Sequence, residues 1–376
     1  MRGAWKIGSI AGIAVQVHWT FLILLAWVAL AYGAEGGPAA ALRGALLISL
    51  LFATVVAHEL GHALAARRFG VRTLDITLLP IGGVARLERF PEGAVPGLVI
   101  ALAGPLVSGV IATVLLGGAL LLEGPLVLLP GPGTPLLVQL GLANLLLCLF
   151  NLLPAFPMDG GRALRAALVA FVGPLMATRY AAAVGRVMAA MFGVVGLMSN
   201  PFLVLIALFV WLQGAAEEQA ALVRHALRGR TVADALVRDV RVLAADALVG
   251  DAAHDLQHGL QQEFPVLVDG RLAGVVGQAD LVRALAAGRG DAPVAEVMRR
   301  DVAPLPLGLP LSRAYERLQL AAAAELRSLP VVDQGELVGL LGLDTVTSLM
   351  AVEAAAAVAR PRAGRDPLDA AALRAA

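Results

Sequence analysis

The sequence predicts a polytopic α-helical membrane domain of about six transmembrane helices, followed by a soluble α/β pair of tandem repeats. Three observations carry that reading. The chain is 59% hydrophobic with a mean hydropathy of +0.81, whereas soluble globular chains are roughly 45–50% apolar. The long apolar runs crowd into the part before about residue 215, and charge density rises after it. Beyond that point a segment recurs at an offset of 65 residues, Gly270 to Gly335.

Composition narrows the function classes. A net charge of +1 without a basic stripe excludes a nucleic-acid partner. The single cysteine, Cys148, excludes an intrachain disulfide. Lys6 is the one lysine among 29 basic residues, which reads as a bias towards arginine.

The spans follow in order. The apolar run Ile13–Tyr32 is too long for a secretory core and lacks a small-residue cleavage site, so it reads as the first transmembrane helix. Further spans are expected at Gly44–Ala66, Val95–Leu122 and Leu136–Leu153, then Tyr180–Met198 and Pro201–Gln213, a hairpin broken at Asn200-Pro201. Arg2 and Lys6 precede the first span; Arg67, Arg68, Arg72, Arg86 and Arg89 follow the second; Arg162, Arg165 and Arg179 follow the fourth. The opposite loops hold Arg43, Glu35 and Glu123. By the positive-inside rule both termini are expected in the cytosol and the protein in the cell membrane. Thr73–Pro91 carries short β-prone runs around Gly82-Gly83 and reads as a hairpin against the membrane domain. Ala166–Thr178, with its internal Gly-Pro, reads as an interfacial piece.

The membrane domain is thus expected over 1–215, with repeats at 231–290 and 291–352. Residues 353–376, rich in Ala and Arg with Pro361 and Pro367, are expected to be a disordered tail. In the repeats, Gly270, Gly274 and Gly277 fall on Gly335, Gly339 and Gly342, and VADALVRDV from Val232 matches VAEVMRRDV from Val294. Each unit reads as strand, helix, two strands joined by a tight turn, then helix.

The chemistry centres on His58-Glu59-Leu60-Gly61-His62, near one end of the second span. On a helix, positions i and i+4 share a face, so both imidazoles can reach one metal ion. Glu59, turned about 100° away, can hold a metal-bound water; zinc lowers the pKa of such water to about 7. A chance match is the bland alternative, but an ionisable residue within a span costs roughly 2.5–3.5 kcal/mol on insertion scales, so this cluster needs a reason. Catalytic zinc usually has three protein ligands. Asp159, in NLLPAFPMDGGR, is the candidate third: Pro154, Pro157 and Gly160-Gly161 make the chain irregular there, and irregular backbone at membrane depth must line a cavity or be buried. The alternative role for Asp159 is N-cap of the following helix.

HExxH paired with an NxxPxxPxDG sequence (Asn151, Pro154, Pro157, Asp159, Gly160) resembles the site-two protease family of intramembrane metalloproteases, over roughly residues 1–215. The resemblance implies zinc held by His58, His62 and Asp159, Glu59 as general base, and Asn151 helping to hold substrate or the oxyanion. Gly104-Pro105 and His18 also look family-like. The implied substrate is a membrane-spanning protein, such as a membrane-tethered anti-sigma factor or sporulation pro-factor, cut in regulated intramembrane proteolysis. Nine residues separate His58 from Arg67, which places the metal roughly 14 Å inside the cytosolic boundary.

The repeats resemble a tandem pair of cystathionine-β-synthase (CBS) domains over about Thr231–Met350. That implies an adenine nucleotide held between the units by a hydroxyl residue and an aspartate three apart. Here Gly277 stands in the first hydroxyl position with Asp280 retained, and Gly342 and Thr345 fill the two positions in the second, with Asp344 out of register. A structural or homodimerising role and a sensing role both stay open. His254 and His258 also stand four apart but lack a partner like Glu59, and read as a solvated face. His18 reads as an interfacial hydrogen-bonding residue. Two rivals are a transporter or channel with regulatory repeats, which leaves HExxH and Asp159 unexplained, and an inactive scaffold, which has no need of Glu59.

Overall fold

The computed structural model describes residues 3–88, 93–124, 134–259 and 261–359. They form two compact units, divided at Ala221/Leu222.

The first unit is helical, with one small sheet. Strands β1 (Ala4–Ile10) and β2 (Ile13–His18) lead into α1 (Trp19–Arg68), then β3 (Thr73–Leu79), β4 (Gly82–Leu87), α2 (Ala94–Glu123), α3 (Leu136–Asn151), α4 (Asp159–Ser199) and α5 (Pro201–Ala226). Helix α1 is a folded-back pair. Gly37 leaves helical geometry at φ 73°, and Pro38 follows with no N–H to give. The rings of Phe21 and Phe52 therefore meet at 4.6 Å, where one straight helix would hold them roughly 46 Å apart. Helix α4 bends in the same way at Gly173 (φ 77°) and Pro174, so that Arg165 reaches back to Thr178 at 2.9 Å.

Helices α1, α2, α4 and α5 are long and apolar enough to cross a membrane. Each expected span falls on helix, with two corrections. Residues 13–18 are strand β2 rather than the start of the first span, which begins at Trp19. Helix α3, at 16 residues, is about 24 Å long, short of the roughly 30 Å hydrocarbon core. Its continuation is stopped by Pro154. Leu30, Leu121, Leu197 and Phe202 stand 72–86% exposed, as lipid-facing side chains do.

The sheet has the order β1-β2-β3-β4, antiparallel except for the parallel pair β2–β3. Ile13, Val15 and Val17 alternate inward from β2, and Ile76 and Leu78 point inward from β3, all onto α1. The expected hairpin is present, with its turn at Pro80-Ile81 and Gly82-Gly83 opening β4. The buried Asp75 carboxylate pairs across the strands with Arg86, which holds it below the usual carboxylate range.

The second unit contains both repeats: β5 (Leu243–Ala244), α6 (Val249–His258), β6 (Glu263–Val268), β7 (Arg271–Gly277) and α7 (Gln278–Ala286), then β8 (Leu305–Pro306), α8 (Leu311–Ala322), β9 (Ser328–Asp333), β10 (Glu336–Gly342) and α9 (Leu343–Ala359). This is the expected order. Both hairpins turn on two residues with positive φ, Asp269-Gly270 (50° and 78°) and Gln334-Gly335 (51° and 91°), the type I′ geometry that matches strand twist. The sequence boundaries conceal an exchange. Leu227, Val232 and Ala235 are buried in the second repeat's core with Leu305, Leu318 and Leu341. Val294 and Met298 are buried in the first repeat's core with Phe264, Val276 and Leu281. Each leading segment also bonds to the opposite hairpin, Val237 to Leu340 and Arg299 to Val275. Helix α9 continues to Ala359, past the expected start of the tail, and 360–376 lie outside the described residues.

This exchange depends on Gly339, whose φ is 152° and where an added Cβ would stand 2.2 Å from the Val237 carbonyl oxygen. Gly339→Ala is therefore expected to destabilise the unit by about 2–3 kcal/mol. Gly308→Ala, in open space, should change it by under about 0.5 kcal/mol. Urea-dependent proteolysis of the full chain compares the two.

Candidate metal centre

Three elements bring the site together. His58 and His62 lie one turn apart on α1, with ring centroids 4.9 Å apart and planes at 76°. Asp159 is the first residue of α4. The chain between α3 and α4 doubles back on itself: a Cβ on Gly160 would fall 2.3 Å from the Leu152 carbonyl oxygen, and one on Gly161 2.6 Å from the Ala155 carbonyl carbon. Only glycine permits that approach, and the approach sets where Asp159 points.

The facing atoms converge. His58 Nε2 lies 3.2 Å from Asp159 Oδ2, His62 Nε2 lies 3.0 Å from the same oxygen, and the two Nε2 atoms are 3.2 Å apart. All three side chains are buried. Zinc bonds of about 2.0–2.1 Å at tetrahedral angles put ligand atoms roughly 3.3 Å apart, so this triangle fits the ion. Among the described residues it is the one group of three such side chains. The outward nitrogens are also engaged: His62 Nδ1 meets the Ile100 carbonyl at 2.6 Å, and His58 Nδ1 meets Ser108 Oγ at 2.9 Å. A carbonyl only accepts, so His62 Nδ1 carries hydrogen and neutral His62 presents a bare Nε2 to the triangle.

The alternative for Asp159 fails. The N-cap of α4 is Met158, and the Asp159 carboxylate turns to the two imidazoles, with Arg162 Nη1 at 3.8 Å on its far oxygen.

Glu59 is half-buried on the adjoining face of α1. A Cβ on Gly83 would stand 2.8 Å from Glu59 Cγ, so strand β4 passes directly over it, and among the described residues β4 pairs only with β3. Asn151 ends α3, half-buried, its amide donating to the Leu147 carbonyl at 3.0 Å. It makes no bond to the histidine–aspartate cluster. His18 is the N-cap of α1, and its Nδ1 lies 2.7 Å from Thr20 Oγ1. His254 and His258 stack 4.2 Å apart on the surface of α6, the solvated face expected of them.

Two further residues of α2 adjoin the cluster: Gly104, which the sequence singles out only as family-like, and Ser108, which it does not single out. Gly104 of α2 faces the imidazoles so closely that a Cβ would stand 2.2 Å from His62 Nε2 and 2.7 Å from His58 Nε2. Ser108 lies one turn further along, fully buried. Their spacing of four on an apolar helix is the signal that marks a shared face.

In the second unit, Asp280 is engaged by the chain itself. It accepts from the Gly277 N–H at 3.1 Å, from Arg299 Nε at 2.9 Å, and from Arg283. Arg327 lies 3.6 Å from Asp344. A separate cavity of about 360 Å³ is lined by Arg271, Gly274, Arg300, Pro304, Val332 and Gly335, without Asp280.

Comparison with known proteins agrees with both halves. The model for peptidase family M50 matches residues 46–129 and 131–195, and the CBS domain model matches 232–287 and 294–351. A zinc metalloprotease of Methanocaldococcus jannaschii is 36% identical over 74% of this chain and 79% of its own length. A Synechocystis protein named as a zinc metalloprotease is 30% identical over 94% of this chain and 97% of its own. The solved site-2 protease from Methanocaldococcus jannaschii is 41% identical, covering 57% of this chain and 95% of that one, with a TM-score of 0.43.

Gly104→Ala places a methyl group where the two Nε2 atoms converge. Purified Gly104→Ala is expected to carry less than a tenth of the zinc of wild type, the loss of roughly 1.4 kcal/mol or more of binding, measured by metal analysis after dialysis.

Proposed function

The chain belongs to peptidase family M50 and is a zinc metallopeptidase with a tandem CBS pair, and from that premise we propose that it cuts membrane-spanning regulatory proteins within the bilayer. The observation that carries this reading is the buried triangle of His58, His62 and Asp159 beside Glu59 on apolar helices.

In this reading His58, His62 and Asp159 hold one zinc ion. When bound, zinc acidifies water and polarises the scissile carbonyl. Glu59 accepts the proton of the attacking water and passes it to the leaving amine. Asn151 has one amide hydrogen and its oxygen beyond the bond to Leu147, and these hold the substrate backbone or the developing oxyanion.

A transmembrane helix hides its carbonyls in its own hydrogen bonds, so the substrate must unwind locally. The edge of β4 lying over Glu59, unpaired among the described residues, offers backbone partners to the extended segment. Arginine placement supports a multi-pass cell-membrane protein with both termini in the cytosol, which cuts its substrate towards the cytosolic side. The CBS pair serves as a regulatory or homodimerising module. The internal engagement of Asp280 argues against adenine nucleotide in the first half of that pair.

Glu59→Gln preserves shape and removes the base. It is expected to keep one zinc per chain and to lose about 10²- to 10⁴-fold in cleavage of a single-span model substrate. Full retention of cleavage by this variant would contradict the assignment.

A further inference from the structure

The two imidazoles of the triangle are not fixed in the same way. His62 Nδ1 faces the Ile100 carbonyl at 2.6 Å, an acceptor that leaves one neutral tautomer. His58 Nδ1 faces the Ser108 hydroxyl at 2.9 Å, a group that can donate or accept. His58 binds a metal through Nε2 only if its Nδ1 carries the proton.

We propose that Ser108 is a positioning residue that holds His58 in the Nδ1–H tautomer, with its Oγ accepting from His58. The inference rests on the reading of His58 as a zinc ligand and adds a residue to it. Three observations support it. Ser108 is 0% exposed, so water does not take up this bond. His58 Nε2 faces the other two ligand atoms, so metal binding through it puts the hydrogen on Nδ1, and a hydroxyl oxygen with two lone pairs can accept it. The approach is also fixed: α1 and α2 meet at Gly61, where a Cβ would stand 2.8 Å from the Ala103 carbonyl oxygen, so the distance from Ser108 to His58 is set by backbone packing.

The arrangement orients the ring as well as its tautomer. His58 Nε2 must face both Asp159 Oδ2 and His62 Nε2, each at 3.2 Å. Rotation of the ring would break the bond to Ser108 together with this alignment. Outer partners of metal-binding histidines typically contribute about 10- to 100-fold in metal affinity.

The test is zinc affinity of the full chain in detergent, by competition with a chelator, for wild type, Ser108→Ala, Ser108→Thr and His58→Ala. Ser108→Ala is expected to bind zinc about 10- to 100-fold more weakly, and Ser108→Thr to retain wild-type affinity. Wild-type affinity in Ser108→Ala, or a loss in folded Ser108→Thr equal to that of the alanine variant, would overturn the role. Zinc-loaded wild type gives a second readout that does not depend on a variant: nitrogen-15 resonance of labelled histidine should show His58 Nδ1 protonated, and a bare Nδ1 would overturn the proposal. If His58→Ala keeps wild-type affinity, the failure lies in the ligand reading itself, since that variant leaves Ser108 intact.

Discussion

Two imidazole nitrogens and a carboxylate oxygen, held 3.0–3.2 Å apart among apolar helices, form an arrangement that is costly without a cation between them. Much of the first unit's architecture is what this triangle requires. Helix α1 must fold back at Gly37-Pro38 so that its second arm can carry the histidines beside α2. Helix α2 must approach closely enough that its own side-chain positions become Gly104 and Ser108. The chain after α3 must break at Pro154 and double back through Gly160-Gly161, because a continuous helix would carry Asp159 past the site. Short helix α3 and the unwound segment after it are the cost of delivering a carboxylate to that depth.

The sheet answers a different requirement. In the proposed function the site needs an extended peptide and water, which a purely helical membrane environment does not supply. Strands β2 and β3 bury one face on α1, which fixes β4 over Glu59 with its outer edge unpaired among the described residues. The second unit solves its packing by exchange: each repeat is too small to close its own core, and the leading segment of the other completes it. The buried Glu263 carboxylate, accepting from the Arg327 N–H and the Ser328 hydroxyl, ties the hairpins across that seam.

Much of this was legible in the sequence, for reasons that are local. Span positions follow from apolar length, and HExxH follows from helical period, so His58, Glu59 and His62 could be placed on one helix. Asp159 was legible because two prolines and two glycines next to a carboxylate are anomalous in an apolar run. The limits are equally physical. The alternation of Ile13, Val15 and Val17 is only six residues long and merges into the apolar run of the first helix, so β2 was hidden. The match of VADALVRDV to VAEVMRRDV marks a repeat but says nothing about which core each copy enters. Ser108 and the Ile100 carbonyl act through contacts between helices that no spacing within one helix encodes.

X-ray absorption at the zinc edge of the purified protein reports directly whether His58, His62 and Asp159 hold one zinc ion. One zinc per chain is expected, with only nitrogen and oxygen neighbours at about 2.0–2.2 Å, two of them imidazoles. Sulfur at about 2.3 Å, a single imidazole, or no bound zinc in the folded protein would contradict it.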